Sequence, residues 1–179
     1  MQELVKVAVD AMGGDHAPLE IVKGAVEAVN KKDNVKVFLV GQEKAVRAEL
    51  QKYQYDSSRV EVVNATEVID MAEPPVQAIR TKKDSSIVTA MKMVKNGEAD
   101  AFVGAGSTGA VLVGGQLIVG RLKGVERPPL APLIPTEKGA SLLIDCGANV
   151  DARPSHLVQF AKMGSIYMEN IMGIKSPRV

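Results

Sequence analysis

The hydrophobic pattern of the chain alternates between short valine-rich runs and longer segments with an apolar stripe. Continuous apolar runs predict buried strands, and apolar residues spaced three and four positions apart predict amphipathic helices. The predicted strands are residues 5–10, 35–40, 60–63, 99–104 and 141–145. The predicted helices are residues 19–29, 42–53, 76–80, 86–95, 108–122 and 154–172. Strands that alternate with helices in this way predict an α/β fold with a mostly parallel sheet.

Three of the predicted strands end in a loop of small residues that leads into a helical pattern. The first loop is residues 11–16 (AMGGDH), the second is 105–109 (AGSTG) and the third is 146–151 (CGANVD). Such loops leave backbone N–H groups unpaired at the start of a helix, and these donors favour an anion such as phosphate. Because parallel strands open their loops at one edge of the sheet, we predict one shared anionic-ligand crevice.

Composition narrows the function classes. The chain has 179 residues, 22 Lys+Arg against 21 Asp+Glu, a net charge of +1 and no Trp. The sequence has neither an excess of positive charge nor the aromatic side chains on which bases stack, so nucleic acid is not an expected partner. Cys146 is the single cysteine, and no secretory signal precedes the first strand, so we expect a cytoplasmic protein.

One uncharged segment, residues 101–120, is long enough to span a bilayer. Three of its six glycines and both of its hydroxyl residues lie in or next to the second loop, and Asp100 and Arg121 flank the segment. We therefore predict a buried strand, a turn and a helix buried at the centre of the molecule or against a second subunit.

The second loop fits the pattern G-x-G-x-x-G over residues 104–109. Glu126 lies near the distance expected for the acidic residue of a dinucleotide site, but not at a strand end, and the Lys-Ser/Thr pair of a P-loop is absent. The loop can therefore hold an anion without completing either nucleotide motif. The alternative is that its glycines only allow tight packing of strand on helix. The candidate phosphate-binding residues are Gly106, Ser107, Thr108 and Gly109.

In the first loop, Gly13 and Gly14 permit backbone conformations closed to other residues and let a ligand approach closely. Asp15 either contributes to this site or caps the following helix. His16 is a candidate acid, base or phosphate donor, or a residue that only forms a hydrogen bond. Asp10, Asp15 and His16 could together ligate a metal, but nothing else in the sequence supports that.

In the third loop, Asn149 can donate and accept, which suits a carbonyl or a phosphate oxygen. Cys146 would need a base to act as a nucleophile, and the only histidines are His16 and His156. A buried, unreactive thiol is the favoured interpretation. A group of basic residues is expected to form a solvated face: Lys82, Lys83, Arg121, Lys123 and Arg127.

Taken together and in this order, five stretches closely resemble the phosphate acyltransferase family of bacterial phospholipid synthesis, known as PlsX. They are residues 9–18 (VDAMGGDHAP), 104–110 (GAGSTGA), 120–132 (GRLKGVERPPLAP), 145–151 (DCGANVD) and 154–164 (PSHLVQFAKMG). The resemblance covers essentially the whole chain. Two positions depart from it: Ser107 stands where the family usually has asparagine, and Pro129 where it usually has alanine.

This resemblance implies a three-layer αβα fold, similar to isocitrate and isopropylmalate dehydrogenases and to phosphotransacetylase, and a homodimer. The implied reaction is attack of inorganic phosphate on acyl-acyl carrier protein, which gives an acyl phosphate and needs no metal or organic cofactor. The resemblance leaves open whether the protein also associates peripherally with the membrane, together with the acyltransferase of the next step. Family members are longer, so residues 1–179 are expected to form a single α/β domain, the N-terminal half of the protein.

Two alternatives remain at this point. One keeps the fold but uses CoA or NAD, as a phosphotransacetylase-like or dehydrogenase-like relative would. The other is a non-catalytic module that binds an acyl group or a nucleotide without turnover. Fold similarity alone does not decide among these functions.

Overall fold

A computed structural model describes residues 4–137 and 139–179 of the chain. The chain divides into two compact units, of which the first ends at Gly120 and the second comprises Arg121–Val179. Within the described ranges, no helix is both long and apolar enough to cross a membrane. Residues 101–120 fold as a strand, a loop and a helix, as the distribution of glycines predicts.

A four-stranded parallel sheet forms the centre of the first unit. Its strands are β1 (Val5–Asp10), β2 (Val35–Gly41), β3 (Val60–Asn64) and β4 (Ala101–Val103), in the order β3-β2-β1-β4. In this register Val9 of β1 lies opposite Leu39 of β2 on one side and Val103 of β4 on the other. The predicted parallel sheet is therefore confirmed, and all four strands lie close to their predicted bounds.

Helices cover both faces of this sheet. They are α1 (Leu19–Lys31), α2 (Glu43–Leu50), α3 (Pro75–Thr81), α4 (Ser86–Lys95) and α5 (Thr108–Gly114). Alternate residues of β2 enter different cores, because Leu39 packs with α1 and α2 while Phe38 packs on the side of α4. A strand covered on both faces can be apolar at every position, which explains the uninterrupted valine-rich runs. The prediction of three layers is confirmed.

The helix that follows the second loop is shorter and more exposed than predicted. Instead of continuing over residues 108–122, α5 passes into a π-helical stretch, Gly115–Val119. A side chain on Gly114 would overlap the sulfur of Met91, so this glycine lets α5 and α4 approach closely. Leu117 is 55% exposed, so this helix is not buried all round within the first unit, and its burial against a second subunit stays a prediction.

The second unit contains a small antiparallel sheet and one long helix. Its strands are β5 (Leu133–Thr136) and β6 (Gly139–Leu142), and its helix is α6 (Pro154–Asn170). The predicted strand at 141–145 is thus displaced, and it pairs antiparallel with β5 rather than joining the parallel sheet. Only two residues separate the two strands, and a connection this short allows only an antiparallel hairpin.

The sequence pattern of α6 predicts a buried stripe of Leu157, Phe160, Ala161, Gly164 and Met168, and the structure differs from it at Leu157 and at Ala161, which is half-buried. Phe160, Gly164 and Met168 are buried, as expected. Leu157, expected on the same stripe, is 57% exposed, and His156 is buried in its place. The spacing of four from His156 to Phe160 continues through the rest of the stripe, so a histidine takes an apolar position here.

Candidate functional site

The first and second loops lie against each other where β1 and β4 end. A Cβ atom built on Gly13 would come within 2.9 Å of the backbone nitrogen of Gly106, and one on Gly106 within 3.1 Å of the Gly13 Cα. Gly14 has φ +102°, and its added Cβ would lie 3.1 Å from the carbonyl oxygen of Ala105. The two backbones therefore meet without side chains between them. The structure thus brings together the candidates from these two loops.

Two other glycines of the second loop serve packing. A Cβ atom on Gly104 would lie 2.8 Å from the ring of Phe102, and one on Gly109 would lie 2.6 Å from Pro75 Cγ. Gly109 therefore lets α5 begin directly against the first residue of α3. Tight packing explains why glycine stands at positions 104 and 109, whereas Gly106 makes the contact between the loops.

Ser107 is the N-cap of α5. It is buried, and its hydroxyl accepts a hydrogen bond from the Ala110 N–H at 3.3 Å. Serine and asparagine are both preferred N-cap residues, so the departure from the family's usual asparagine keeps this function. Over the described ranges, no protein oxygen accepts from the backbone N–H of Gly106, Ser107 or Thr108. These donors are therefore the candidates for a bound anion.

Replacing Ser107 with alanine should lower the free energy of unfolding by about 1 kcal/mol, because the Ala110 N–H loses its acceptor. Asparagine at the same position should lower the free energy of unfolding much less, because it is also a preferred N-cap residue. Urea unfolding of the two variants beside the wild-type protein measures the difference. Equal losses for alanine and asparagine would contradict the capping role.

Asp15 and His16 directly follow Gly14, and both are exposed. The capping interpretation of Asp15 is wrong, because α1 begins at Leu19 and its N-cap residue is Pro18, which has no side-chain cap. His16 accepts a hydrogen bond from the Glu20 N–H through its backbone oxygen at 3.1 Å. Throughout the described ranges, no cluster of three or more His, Cys, Asp or Glu side chains could hold a metal ion.

Asp10 lies beneath the two loops, and from the sequence alone it is a candidate only for metal binding. Its side chain is 1% exposed, and Oδ1 accepts from the Met12 N–H at 3.1 Å. Burial raises the pKa of Asp10, although hydrogen bonds from the Ser86 side chain and from the N–H groups of Met12 and Gly13 oppose this effect. A carboxylate at the end of a buried strand was the sequence signal for this residue.

Ser86 was also missed, although a recognisable signal precedes it. It is the first residue of α4, and Ser85 before it accepts from the Val88 N–H as the N-cap. Two serines at the start of an apolar helical pattern are typical of a helix N-terminus. The signal gave the position of the helix, but not the contact between Ser86 and Asp10.

The third loop belongs to the second unit. Among the described strands, β6 pairs only with β5 and is not part of the parallel sheet. The pairing of the strands therefore gives no position for this loop relative to the other two. Asp145 accepts from the N–H groups of Leu130 at 2.6 Å and Asn149 at 2.7 Å. The Asn149 amide nitrogen donates to the Pro128 oxygen at 3.2 Å and to Asp145 at 3.3 Å. A crevice shared by all three loops stays a prediction.

Hydrogen bonds to Asp145 make its stability contribution depend on pH. Burial works to raise the pKa of Asp145, but bonds from the N–H groups of Leu130 and Asn149 and from the Asn149 side chain outweigh it and lower the pKa. The stabilisation is complete above the ordinary aspartate pKa and is lost as pH falls through the lowered one. The stability difference between wild type and Asp145→Asn should therefore shrink below about pH 4. Urea unfolding at several pH values measures this difference in the free energy of unfolding. A difference that stays constant with pH would contradict the lowered pKa of Asp145.

His156 is engaged in contacts within the second unit. Its Nδ1 accepts from the Arg153 N–H at 3.2 Å, and its Nε2 lies 3.0 Å from Glu126 Oε2. Since Nδ1 is an acceptor, Nε2 carries the proton and donates to Glu126. Glu126 also forms hydrogen bonds with Gln159, so its carboxylate is engaged within the second unit and not in a nucleotide site. Both ring nitrogens of His156 are likewise engaged, and neither acts as a base for Cys146. Cys146 itself is half-buried.

Known proteins resemble this chain over nearly all of its length. A family model described as "Fatty acid synthesis protein" matches residues 5–179. A phosphate acyltransferase of Clostridium novyi (strain NT) is 53% identical over 175 residues, which is 98% of this chain and 53% of the relative. A phosphate acyltransferase of Syntrophomonas wolfei is 54% identical over 176 residues, which is 98% of this chain and 55% of the relative. The chain thus spans about half the length of the curated relatives it matches.

Two solved structures share the fold. A phosphotransacetylase from Streptococcus pyogenes has a TM-score of 0.70 at 19% identity, covering 98% of this chain and 60% of that structure. The EutD phosphotransacetylase from Staphylococcus aureus has a TM-score of 0.66 at 22% identity, covering 96% of this chain and 54% of that structure. At these identities the likeness concerns the fold alone.

Proposed function

Because the chain belongs to the fatty acid synthesis protein family, we propose that it forms part of the active site of a phosphate acyltransferase. The proposed reaction converts acyl-acyl carrier protein and inorganic phosphate into an acyl phosphate for phospholipid synthesis. Support for this reaction comes from the relatives in Clostridium novyi and Syntrophomonas wolfei, which carry the name phosphate acyltransferase at 53% and 54% identity.

One observation carries the proposed location of the site: the backbone contact between Gly13 and Gly106. This contact brings together two strand-to-helix loops at the ends of adjacent parallel strands, where α/β proteins bind their ligands. Unpaired N–H groups in such loops suit a phosphate oxygen. The proposed phosphate- and substrate-binding residues are Gly13, Gly14, Asp15, Gly106, Ser107, Thr108 and Gly109.

The chemistry requires little beyond positioning and charge stabilisation. An oxygen of phosphate attacks the thioester carbonyl carbon, and a tetrahedral intermediate with a negatively charged oxygen forms. The carbon–sulfur bond then breaks, and the released thiolate of the carrier protein takes up a proton. Phosphate is itself the nucleophile, so no covalent enzyme intermediate is needed. Backbone donors that hold phosphate and the oxyanion lower the barrier in the proposed mechanism.

Two side chains have proposed roles that the structure sharpens. His16 is exposed next to Gly14 and is the proposed hydrogen-bond donor to phosphate or to the leaving thiolate. Both hydrogens of the Asn149 amide have acceptors, in Pro128 and Asp145. Asn149 is therefore left with its side-chain oxygen, and its proposed role narrows to accepting a hydrogen bond from the substrate.

The remaining proposals concern the partners and the assembly. Acyl carrier protein delivers the acyl group, and the protein is proposed to act as a homodimer in the cytoplasm, with peripheral membrane association through the downstream acyltransferase. Likeness to isocitrate and isopropylmalate dehydrogenases stays a prediction. That residues 1–179 form a single domain of a longer protein also stays a prediction. Limited proteolysis tests it, because cleavage near Gly120 would separate two domains.

A turnover assay on the full-length protein distinguishes the functions. Acyl-acyl carrier protein with inorganic phosphate should yield acyl phosphate, trapped as a hydroxamate, and free carrier thiol in equal amounts. Acyl-CoA with phosphate and NAD binding are the comparison arms. Turnover of acyl-CoA at higher kcat/KM, or NAD binding without acyl transfer, would overturn the proposal, as would tight binding of acyl carrier protein with no turnover.

A further inference from the structure

Asp10 is a buried carboxylate without a basic partner. It ends β1, between β2 and β4, and is 1% exposed. Across residues 4–137 and 139–179, no lysine, arginine or histidine forms an ion pair with it. Burial of a carboxylate without a counter-ion is costly, so a position like this requires compensating hydrogen bonds.

These hydrogen bonds come from two different parts of the fold. Oδ1 accepts from the Met12 N–H at 3.1 Å, and the Gly13 N–H adds a second backbone donor from the first loop. The Ser86 side chain, at the first residue of α4, is the third donor. One carboxylate therefore ties the start of the first loop to the start of a neighbouring helix.

The second carboxylate oxygen fills the space beneath the two loops. A Cβ atom on Gly13 would overlap Asp10 Oδ2, and one on Gly106 would lie 3.4 Å from the same oxygen. Oδ2 thus occupies the space that a side chain on Gly13 would need, next to the point where the loops meet. Its size and position set how closely Gly13 and Gly106 approach each other.

We infer that Asp10 is a positioning residue, which fixes the separation of the Gly13 and Gly106 backbones and so aims their neighbouring N–H groups at phosphate. Asp10 does not itself touch the substrate, because the two loops cover it. By drawing the Met12 and Gly13 N–H groups inward, it leaves the donors of the following residues for the ligand. This inference rests on the proposed function.

Asp10→Asn is the direct test in the full-length protein, because it keeps the volume and one acceptor but places an NH₂ group beside Gly13 and Gly106. The KM for inorganic phosphate should rise about tenfold or more. The KM for acyl-acyl carrier protein should change less than about twofold. Asp100→Asn is the matched control, since Asp100 accepts from the Lys6 N–H at 2.7 Å near the opposite end of β1, and both KM values should stay at their wild-type levels.

An unchanged phosphate KM in a folded Asp10→Asn protein would overturn the inference, as would equal increases in both KM values with a lowered melting temperature. If that variant does not fold, Ser86→Ala decides: a raised phosphate KM supports the inference, and an unchanged one overturns it.

Wild-type turnover tests the proposed function separately. If wild type binds phosphate in calorimetry without turnover, only the proposed function fails, and weaker phosphate binding by Asp10→Asn still supports positioning. Wild-type protein that neither turns over nor binds phosphate overturns both.

Discussion

Replacing Gly13 with alanine should reduce acyl phosphate formation by about a hundredfold or more, since a small displacement of positioning groups can cost this much. The added methyl group would overlap Asp10 Oδ2 and lie 2.9 Å from the Gly106 nitrogen. Neither neighbour can move freely, because one is a buried carboxylate and the other is backbone. The two loops would have to separate, and their N–H groups would no longer converge on phosphate. Trapping of acyl phosphate as hydroxamate measures the loss.

Gly24→Ala is the matched control for this substitution. Gly24 lies in α1, and outside its chain neighbours and the adjoining helix backbone no atom lies within 4 Å of the position that its Cβ would take. Alanine there should leave turnover unchanged and raise the free energy of unfolding by roughly 0.5–1 kcal/mol, because glycine is unfavourable within a helix. Wild-type turnover in a folded Gly13→Ala protein would contradict a site at the contact of the two loops.

Leu39→Ala should produce the largest loss of stability that we predict, about 2–5 kcal/mol. Leu39 is 0% exposed at the middle of β2, where it packs with α1, α2 and the neighbouring strands. Removing its side chain leaves a cavity between the sheet and one helical layer, and regular strands on both sides prevent collapse. Urea unfolding followed by circular dichroism measures the change.

Leu122→Ala makes the same chemical change at an exposed position. Leu122 is 81% exposed, so its removal should alter the free energy of unfolding by less than about 0.5 kcal/mol. Since both substitutions remove the same atoms, the difference between them reports burial alone. Similar losses for the two variants would contradict the assignment of Leu39 to the core.

The parallel sheet could be predicted from sequence because its signals are local. Continuous valine-rich runs such as residues 35–40 are typical of strands covered on both faces, and each run is followed by a helical pattern. The loops between them carry glycines at strand ends, so the sequence predicts that the loops of Gly13 and Gly106 open at the same edge of the sheet. The structure shows the two glycines in contact, and binding of phosphate at this contact stays a prediction.

The misplaced features depend on contacts between distant residues. The proline-rich segment before β6 gives a weak strand signal, yet β5 forms there because β6 follows two residues later. The buried His156 forms a hydrogen bond with Glu126, 30 positions away, which no helical spacing reveals. Asp10 was visible as a strand-end carboxylate, but its partner Ser86 lies on another element. Pairings of this kind require the tertiary structure.

The strand order has a consequence for how the site forms during folding. β1 pairs with β2 across a short stretch of chain, whereas its pairing with β4 waits for a segment more than 90 positions later. Closing so long a loop is entropically costly and slow. Gly13 and Gly106 therefore meet only after the chain between them, residues 14–105, has been synthesised. The phosphate-binding loops are expected to be among the last features of this unit to assemble and among the first to be lost when β4 detaches.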